Sequence, residues 1–498
     1  MIESYEKFLV CIQQLADVEH AQALLSWDQE TYMPPRGTAM RARAQGTMAG
    51  LAHEMLVDDQ LVNLVRDLQS KTLEGDETVN VRETARRQER ALKISGDLVV
   101  EMTETASLAH EAWVESREKA DFSIFQPWLE KILDQKRQVA DSVGYEGSMY
   151  NALLDEYEPY AKAEEIAELF ADLRTQLIPL VEGIAASGRR PADGVLDRTF
   201  NVELQERFGR GVIADMGFDM DAGRLDVAVH PFCSGTSRDD VRLTTRYAED
   251  WMPGSLFGSI HEAGHGLYEQ GLPAEAVGVP AGQSVSLGIH ESQSRMWENM
   301  VGRSQPFWQH YFPLLQAAFP GVIDDVDLDR FYAAINQVEP SFIRVEADEV
   351  TYNLHIALRF EIEVALVEGA LRVDELPEAW NAKMRDYLGI TPPDHAQGVL
   401  QDVHWSFGGI GYFSTYSLGN LYAAQFFHQA KRDMPDIMER IAAGQLLGLK
   451  KWLNENVHAR GARLTAAQLV QEVTGEALSA QYFIDYLHAK FDLLYDLD

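Results

Sequence analysis

Apolar side chains recur every three or four positions through most of this sequence, the spacing that places them on one face of an α-helix. The first such run is Tyr5, Phe8, Leu9, Ile12 and Leu15. A second covers residues 166–177, and helical spacing returns at Gly254 and continues towards the C-terminus. The pattern predicts a mainly α protein. Tandem prolines at 34–35 predict a turn, and the polar run at 187–191 predicts an exposed loop.

The spacing changes to alternation in one short stretch. The two alternating runs are Leu225-Val227-Val229 and Val241-Leu243-Thr245. Alternation is the pattern of a β-strand with one buried face. Between the runs lie Pro231, Gly235 and several serine and aspartate residues, which favour turns. The sequence therefore predicts a small antiparallel β element over residues 223–246.

The length of 498 residues is compatible with about two to four ordinary domains. However, no repeat of about 20–50 residues is visible, and no low-complexity linker divides the sequence. With 46% hydrophobic and 24% charged residues, the chain is able to bury a large core beneath a polar surface. We therefore expect a single domain over residues 1–498, built from two helical lobes.

Charge and cysteine content exclude several classes of partner and compartment. The formal net charge of −35 argues against binding to nucleic acid or to an anionic membrane, because both would repel it. Only two cysteines occur, Cys11 and Cys233, so a disulfide scaffold is excluded and a reducing compartment fits best. The first residues do not read as a signal peptide, and no stretch is long and apolar enough to span a membrane. We expect a cytoplasmic protein.

The run His261-Glu262-Ala263-Gly264-His265 has the form of a zinc-binding motif. On a helix, positions four apart lie on the same face, so His261 and His265 are able to direct two imidazoles at one ion. Zn²⁺ lowers the pKa of a bound water from about 15.7 to about 7. Glu262 is placed to accept the proton of that water as a general base. Such a motif also occurs by chance on helices whose histidines are merely packed or solvated.

A catalytic zinc site uses three protein ligands and keeps one position open. A third histidine six residues after His265 is absent, because that position is Gly271. The glutamates that follow are candidates for the third ligand: Glu269, Glu275, Glu291 and Glu298. Glu291 begins a helix-like run after a glycine-bearing loop, and a helix–loop–helix would return it to the histidines. We predict Glu291 as the third ligand. His290 is a competing ligand, although a hydrogen bond or packing is its more ordinary role.

These residues, together with further motifs, resemble the carboxypeptidase Taq family of metallocarboxypeptidases. The zinc motif is followed by His290-Glu291-Ser292-Gln293-Ser294, as in that family. The other family motifs occur in order: Trp27-Asp28, His230-Pro231-Phe232, D-x-R-x-T from Asp240 to Thr244, I-R-x-x-A-D from Ile343 to Asp348, and G-x-x-Q-D-x-H-W from Gly398 to Trp405. The resemblance spans nearly the whole chain, with no departure at the positions expected to carry chemistry.

The resemblance implies an exopeptidase that removes single C-terminal residues with broad side-chain preference. It also implies a mostly helical, saddle-like homodimer in which a deep groove holds peptides with a free C-terminus. Carried over by position, His261, His265 and Glu291 bind one zinc ion per chain and Glu262 is the base. Co²⁺ or another divalent ion is expected to substitute for zinc.

A carboxypeptidase must recognise a free carboxylate, and a guanidinium does so through paired hydrogen bonds. Arg344 and Arg242 are the arginines inside motifs, and Arg344 is the preferred candidate. The alternative for each is a structural ion pair. Arg344 has Glu346 and Asp348 nearby in sequence, and Arg242 has Asp239 and Asp240.

Hydrolysis of a peptide bond places negative charge on the carbonyl oxygen, so a neutral donor facing the metal is useful. The candidates are His404, Tyr412 and Tyr416. The two tyrosines lie within residues 408–416, a segment that begins with three glycines in four positions. We predict catalytic roles for His404 and Tyr412 and substrate contact for Tyr416. The alternative is a tight turn with two core tyrosines.

Two other functions remain open. A related helical zinc endo-oligopeptidase would use the same ligands but leave its groove open at both ends. In the exopeptidase, the β element with His230-Pro231-Phe232 and Asp240-x-Arg242-x-Thr244 is the natural wall that closes the groove. A catalytically idle helical scaffold is disfavoured, because Glu262 is intact.

Overall fold

Helices build most of the protein, as the sequence predicts. The computed structural model describes residues 3–189 and 194–497. Among these residues, nine α-helices precede the β element: α1 Glu3–Thr31, α2 Thr38–Leu56, α3 Asp59–Gln69, α4 Asp76–Lys93, α5 Gly96–Lys119, α6 Phe122–Val143, α7 Tyr150–Leu154, α8 Ala163–Ala186 and α9 Val202–Asp215. The apolar face predicted at the N-terminus is buried in α1. Part of the predicted loop at 187–191 lies outside the described residues.

A second set of helices follows the β element. These are α10 Met252–Gly271, α11 Leu287–Arg295, α12 Gln305–Ala318, α13 Leu328–Ile335, α14 Tyr352–Val367, α15 Leu376–Leu388, α16 Ser414–Asp433, α17 Ile437–Ala442, α18 Leu447–Asn456, α19 Ala466–Thr474 and α20 Gln481–Tyr495. Helix α11 continues directly into a π-helix, Met296–Gly302. π-Helical turns are rare and often occur at functional sites. In the described part of the chain, no helix is both long and apolar enough for a membrane crossing.

The β element is a three-stranded sheet formed by β1 Gly223–Val227, β2 Cys233–Ser237 and β3 Asp240–Thr245. Its position within residues 223–246 is confirmed, but the antiparallel prediction is wrong for one pair. The strand order is β1-β3-β2, with β2 antiparallel and β1 parallel to β3. Alternation of side chains identifies strands and their buried faces, but it does not say which strand takes the middle of the sheet.

Two hydrophobic clusters organise the described residues. The larger one takes buried side chains from Leu98 in α5 to Tyr495 in α20, including those of α10, α11 and α16. The smaller one joins α1, α3 and α4 to residues 276–281, which lie between α10 and α11. The helices that carry the zinc-motif residues and Glu291 therefore share one core. A single domain over residues 1–498 stays a prediction.

Close helix packing places Glu291 beside the zinc motif. A Cβ atom at Gly264 on α10 would lie 2.6 Å from Cα of Ser294 on α11. A Cβ atom at Gly419 on α16 would lie 2.5 Å from Cγ of Glu291. Because both positions are glycine, α11 is able to fit between α10 and α16 at a separation that larger residues would prevent.

Candidate active site

The structure brings the three predicted metal ligands together. The nearest donor atoms of His261, His265 and Glu291 all lie within 4.8 Å of one another. Oε2 of Glu291 is 3.5 Å from Nε2 of His261 and 3.3 Å from Nε2 of His265. The two histidines are partly buried and Glu291 is buried.

The hydrogen bonds around the two histidines leave their Nε2 atoms free to bind a metal. Nδ1 of His261 donates a hydrogen bond to Oε2 of Glu298 at 2.9 Å. Nδ1 of His265 lies 3.1 Å from the carbonyl oxygen of His290 and 2.6 Å from Nδ1 of the same residue. Since Nε2 of His290 donates to Glu269 at 2.7 Å, its Nδ1 is the acceptor. Both histidines therefore direct Nδ1 to a hydrogen-bond acceptor and Nε2 to Glu291. Burial alone would lower the pKa of His261, but Glu291 and Glu298 raise it to about 10, so metal binding at its Nε2 would release a proton.

This donor set fits zinc. Two neutral imidazoles and one carboxylate form a common catalytic zinc site, and each imidazole is oriented by an acceptor behind it. The sequence left His290 and Glu298 open as possible ligands. In the structure both contact the ligand histidines from the side away from Glu291, which is the position of supporting residues.

Arg295 holds the carboxylate of Glu291 in its charged form. Its Nε donates to Oε1 of Glu291 at 2.6 Å, which leaves Oε2 directed towards the histidines. Burial alone would raise the pKa of Glu291, but Arg295 and His261 lower it well below the ordinary value. The guanidinium lies 4.5 Å above the ring of Tyr352. Glu291 is therefore available as an anionic ligand at neutral pH.

Glu262 is buried beside the ligands and lines the same groove. Burial raises its pKa to about 7, while the neighbouring His261 opposes that shift. A carboxylate whose pKa lies near neutrality is suited to accept and return a proton.

A groove of about 1310 Å³ runs past these residues. One side of α10 lines it: Gly254, Phe257, Gly258, His261, Glu262, His265 and Glu269. Residues 334–337 and 339–349 also line it. Pro231 and Phe232 also line the groove, whereas His230 and the run from Asp240 to Thr244 are not among the lining residues. Closure of the groove by the β element stays a prediction.

Arg344 lines the groove, but its ion-pair partner is remote in sequence. Its Nε donates to Oδ1 of Asp402 at 2.9 Å, and Nη1 donates to the hydroxyl of Tyr352 at 3.0 Å. Oδ2 of Asp402 accepts from Nε of Arg359 at 2.7 Å. The neighbouring acids considered from sequence are not its partners. Two guanidinium groups share one carboxylate, so this cluster carries a net positive charge next to the groove, an environment that suits an anion.

Arg242 is not among the residues that line the groove. Its guanidinium donates to both carboxylate oxygens of Asp240, at 2.8 and 3.0 Å. It also lies 4.3 Å above the ring of Trp27. These contacts form the structural ion pair with Asp240 that the sequence offered as the alternative. A role of Arg242 in substrate binding stays a prediction.

Tyr412 and Tyr416 line the groove, whereas His404 lies behind Tyr416. Nε2 of His404 is 3.3 Å from the hydroxyl of Tyr416. Burial lowers the pKa of His404 to about 4, so this ring is neutral at neutral pH. Of the three, only the two tyrosines are among the groove-lining residues, and His404 contacts Tyr416. The catalytic roles of His404 and Tyr412 and the substrate contact of Tyr416 stay predictions.

Comparison with known proteins identifies the family. Residues 7–491 match the family described as carboxypeptidase Taq (M32) metallopeptidase. The chain belongs to this family. Thermostable carboxypeptidase 1 of Thermus thermophilus is 44% identical, and carboxypeptidase 1 of Bacillus subtilis is 39% identical, each with 99% of both chains covered. The protein is therefore a metallocarboxypeptidase, a hydrolase of peptide bonds.

Solved structures agree with this assignment to the M32 family. An M32 carboxypeptidase from Deinococcus radiodurans R1 has a TM-score of 0.97 at 38% identity, with 99% of this chain and 100% of that chain covered. A Pyrococcus furiosus carboxypeptidase has a TM-score of 0.96 at 37% identity, with 99% of each chain covered. The helical architecture is thus common to M32 carboxypeptidases.

Several supporting residues of this M32 site were missed from the sequence. Arg295 follows Glu291 by one helical turn, a spacing that could have identified it. Glu158 gives no local signal. Its carboxylate accepts from the backbone N–H of Gly288 and the hydroxyl of Ser286, both at 2.9 Å, at the start of α11. It therefore anchors the helix that carries Glu291.

Glu363 is a second buried acid without a local sequence signal. It accepts hydrogen bonds from Tyr150 at 2.7 Å, from the indole of Trp405 at 2.8 Å and from the backbone N–H of Gly411 at 3.0 Å. These bonds fix the segment that bears His404 and the two tyrosines.

Proposed function

We propose that this protein releases single amino acids from the free C-terminus of peptides, with zinc held by His261, His265 and Glu291. The observation that carries the proposal is the convergence of two Nε2 atoms and one carboxylate oxygen in a groove beside Glu262. Family membership supports a metal-dependent carboxypeptidase. The donor set favours zinc, and Co²⁺ or another divalent ion of similar preference is expected to substitute.

Glu262 is the general base of the proposed reaction. A zinc ion bound by the three ligands supplies Lewis acidity, which lowers the pKa of water and polarises the peptide carbonyl. Glu262 accepts a proton from the attacking water and delivers it to the nitrogen of the leaving amino acid. Its buried position and raised pKa support both transfers.

The residues proposed to orient the substrate are Arg344, Tyr412 and Tyr416, which line the same groove. Arg344 pairs with the terminal carboxylate, supported by the net positive charge that it and Arg359 form around Asp402. Tyr412 donates its hydroxyl to the carbonyl oxygen as negative charge develops there. Tyr416 contacts the substrate and is held by His404.

The groove walls combine apolar and polar side chains, which supports broad side-chain preference. The apolar Phe342 and Ile343 line the groove, as do the polar Asn336 and Gln397. A homodimer is proposed from the family resemblance. A cytoplasmic location is proposed because Cys11 and Cys233 are both free thiols, as a reducing compartment favours.

A peptide ladder experiment tests the proposal. A peptide of about ten residues and its C-terminal amide are incubated with the protein, with and without a chelator, and the products are followed by mass spectrometry. We expect stepwise loss from the free C-terminus, no cleavage of the amide, and restoration by zinc after chelation. Internal cleavage of the amidated peptide would instead identify an endo-oligopeptidase.

A further inference from the structure

Helix α10 carries a glycine that the protein's own packing does not explain. Gly258 lies in the helix interior, where glycine is among the least favourable residues. A Cβ atom there would meet Pro231 at 3.9 Å and Thr245 at 4.0 Å, which are ordinary contact distances. Alanine would therefore fit. Because Gly258 lines the groove one turn before His261, its missing side chain leaves space in the groove itself.

A large aromatic side chain stands at the start of the same helix. Trp251 lines the groove and remains 46% exposed. Its ring rests against Gly254, where a Cβ atom would lie 2.8 Å from the indole. Pro253 and Phe257 line the groove nearby. The N-terminal half of α10 thus offers an open track that ends at an apolar platform.

The length of this track shows which part of a peptide substrate it is able to hold, the residues before the scissile bond or the released C-terminal residue. From Trp251 to His261 is ten residues, or about 15 Å along a helix. An extended peptide covers that distance with about four residues. The released amino acid spans only about 3.5 Å. The track is too long for the leaving residue, so it belongs to the residues that precede the scissile bond.

We propose that the N-terminal half of α10 binds the peptide N-terminal to the scissile bond. The substrate main chain passes over Gly258, and the side chain about four residues before the scissile bond packs on Trp251. An apolar or aromatic side chain is preferred at that position, because it buries the exposed indole face. This inference rests on the proposed release of single C-terminal residues.

Trp251 is tested with N-acetylated peptides that share their last three residues. A hexapeptide with phenylalanine at its second position places that ring four residues before the scissile bond, and a tripeptide does not reach it. Trp251→Ala is expected to lower kcat/KM for the hexapeptide about tenfold, mainly through KM. The loss on the tripeptide is expected to be at least about fivefold smaller, and Trp251→Phe should recover most of the hexapeptide rate. Equal losses on both peptides, or no loss, would overturn the assignment.

Gly258 is tested by Gly258→Ala, with Gly211→Ala as the matched control. Gly211 is also a helical glycine with open space around its Cβ position, and it is exposed on α9. Gly258→Ala is expected to keep its metal and to unfold at no lower temperature than wild type, because alanine is the better helix former, while KM rises at least about tenfold for both peptides. Gly211→Ala should behave as wild type. A wild-type KM in Gly258→Ala would overturn the proposed path.

The same assay separates this inference from the proposed function. If the wild-type protein releases no single C-terminal residue, the proposed function fails. If release is intact but neither α10 variant shifts KM as stated, only the subsite fails.

Discussion

The carboxylate of Glu298 accepts a hydrogen bond from Nδ1 of His261 at 2.9 Å, on the side of the ring opposite the predicted metal. Arg303 and Arg295 donate to the same carboxylate at 3.3 and 3.4 Å, so Glu298 is held in its charged form. Burial alone would raise the pKa of Glu298, yet His261 and Arg295 lower it to about 2. The π-helical turn that follows α11 thus fixes the orientation of His261, the predicted metal ligand on α10.

Replacement of Glu298 by glutamine should weaken metal binding about 10- to 100-fold, because the His261 ring loses its charged acceptor. Affinity is measured by competition with a chelator, independently of turnover. Glu54→Gln, an exposed substitution on α2, serves as the control and should bind metal as wild type. Equal affinities in the two variants would show that Glu298 does not support the ligand.

Loss of Glu291 should remove the third ligand. Glu291→Ala is expected to lower the metal content of the purified protein, since two imidazoles alone bind zinc weakly. Glu291→Gln fills the same space against Gly419 and separates ligand loss from misfolding, because it should also lose metal while keeping the fold by circular dichroism. Unchanged metal content in both variants would point to His290 or Glu298 as the ligand.

A methyl group at Gly264 should force α10 and α11 apart. The added Cβ would lie 2.6 Å from Cα of Ser294 and 2.7 Å from the carbonyl oxygen of Gln293, and backbone atoms do not move aside easily. Gly264→Ala is expected to lower the free energy of unfolding by about 1–3 kcal/mol. Gly211→Ala, with open space around it, should not be destabilised. Full stability of Gly264→Ala would contradict the packing described here.

Stability should depend on pH through Glu158. Burial raises the pKa of Glu158 to about 7 in the folded protein, from an ordinary value of 4.5. The stabilisation from its protonated form is complete below about pH 4.5 and is lost as the pH rises to about 7. The difference between the two pKa values corresponds to a loss of about 3 kcal/mol in the free energy of unfolding.

Glu158→Gln stays neutral at every pH, so the variant should lose less stability than wild type between pH 5 and pH 8. Thermal unfolding midpoints at the two pH values provide the measurement. Burial also raises the pKa of Glu363 to about 7, so part of the pH dependence of stability remains in the Glu158 variant. Glu168→Gln, an exposed substitution on α8, should keep the wild-type dependence. A Glu158 variant as pH-dependent as wild type would contradict the raised pKa.

Local spacing predicted the parts of this site that lie within one helix or one short connection. His261, His265 and Glu262 follow from helical periodicity, and the return of a second helix predicted that Glu291 would approach them. The partners of Arg344 could not be found in this way. Asp402 is 58 residues away, and the neighbouring Glu346 and Asp348 were more obvious candidates from sequence.

The same limit applies to the sheet and to the buried acids. Alternation identified the strands, but the parallel pairing of β1 with β3 depends on which strand takes the centre. Glu158 and Glu363 receive hydrogen bonds from segments 130 and 48 residues away, so their roles emerge only when the chain has folded.

Glu262 is proposed to act as the base beside a metal that other residues hold. Metal content and turnover of Glu262→Gln, determined on the same preparation, test it most directly. We predict one metal ion per chain, as in wild type, and a loss of kcat of about 10²- to 10⁴-fold on a peptide with a free C-terminus. Turnover at the wild-type rate with the metal in place would contradict the claim.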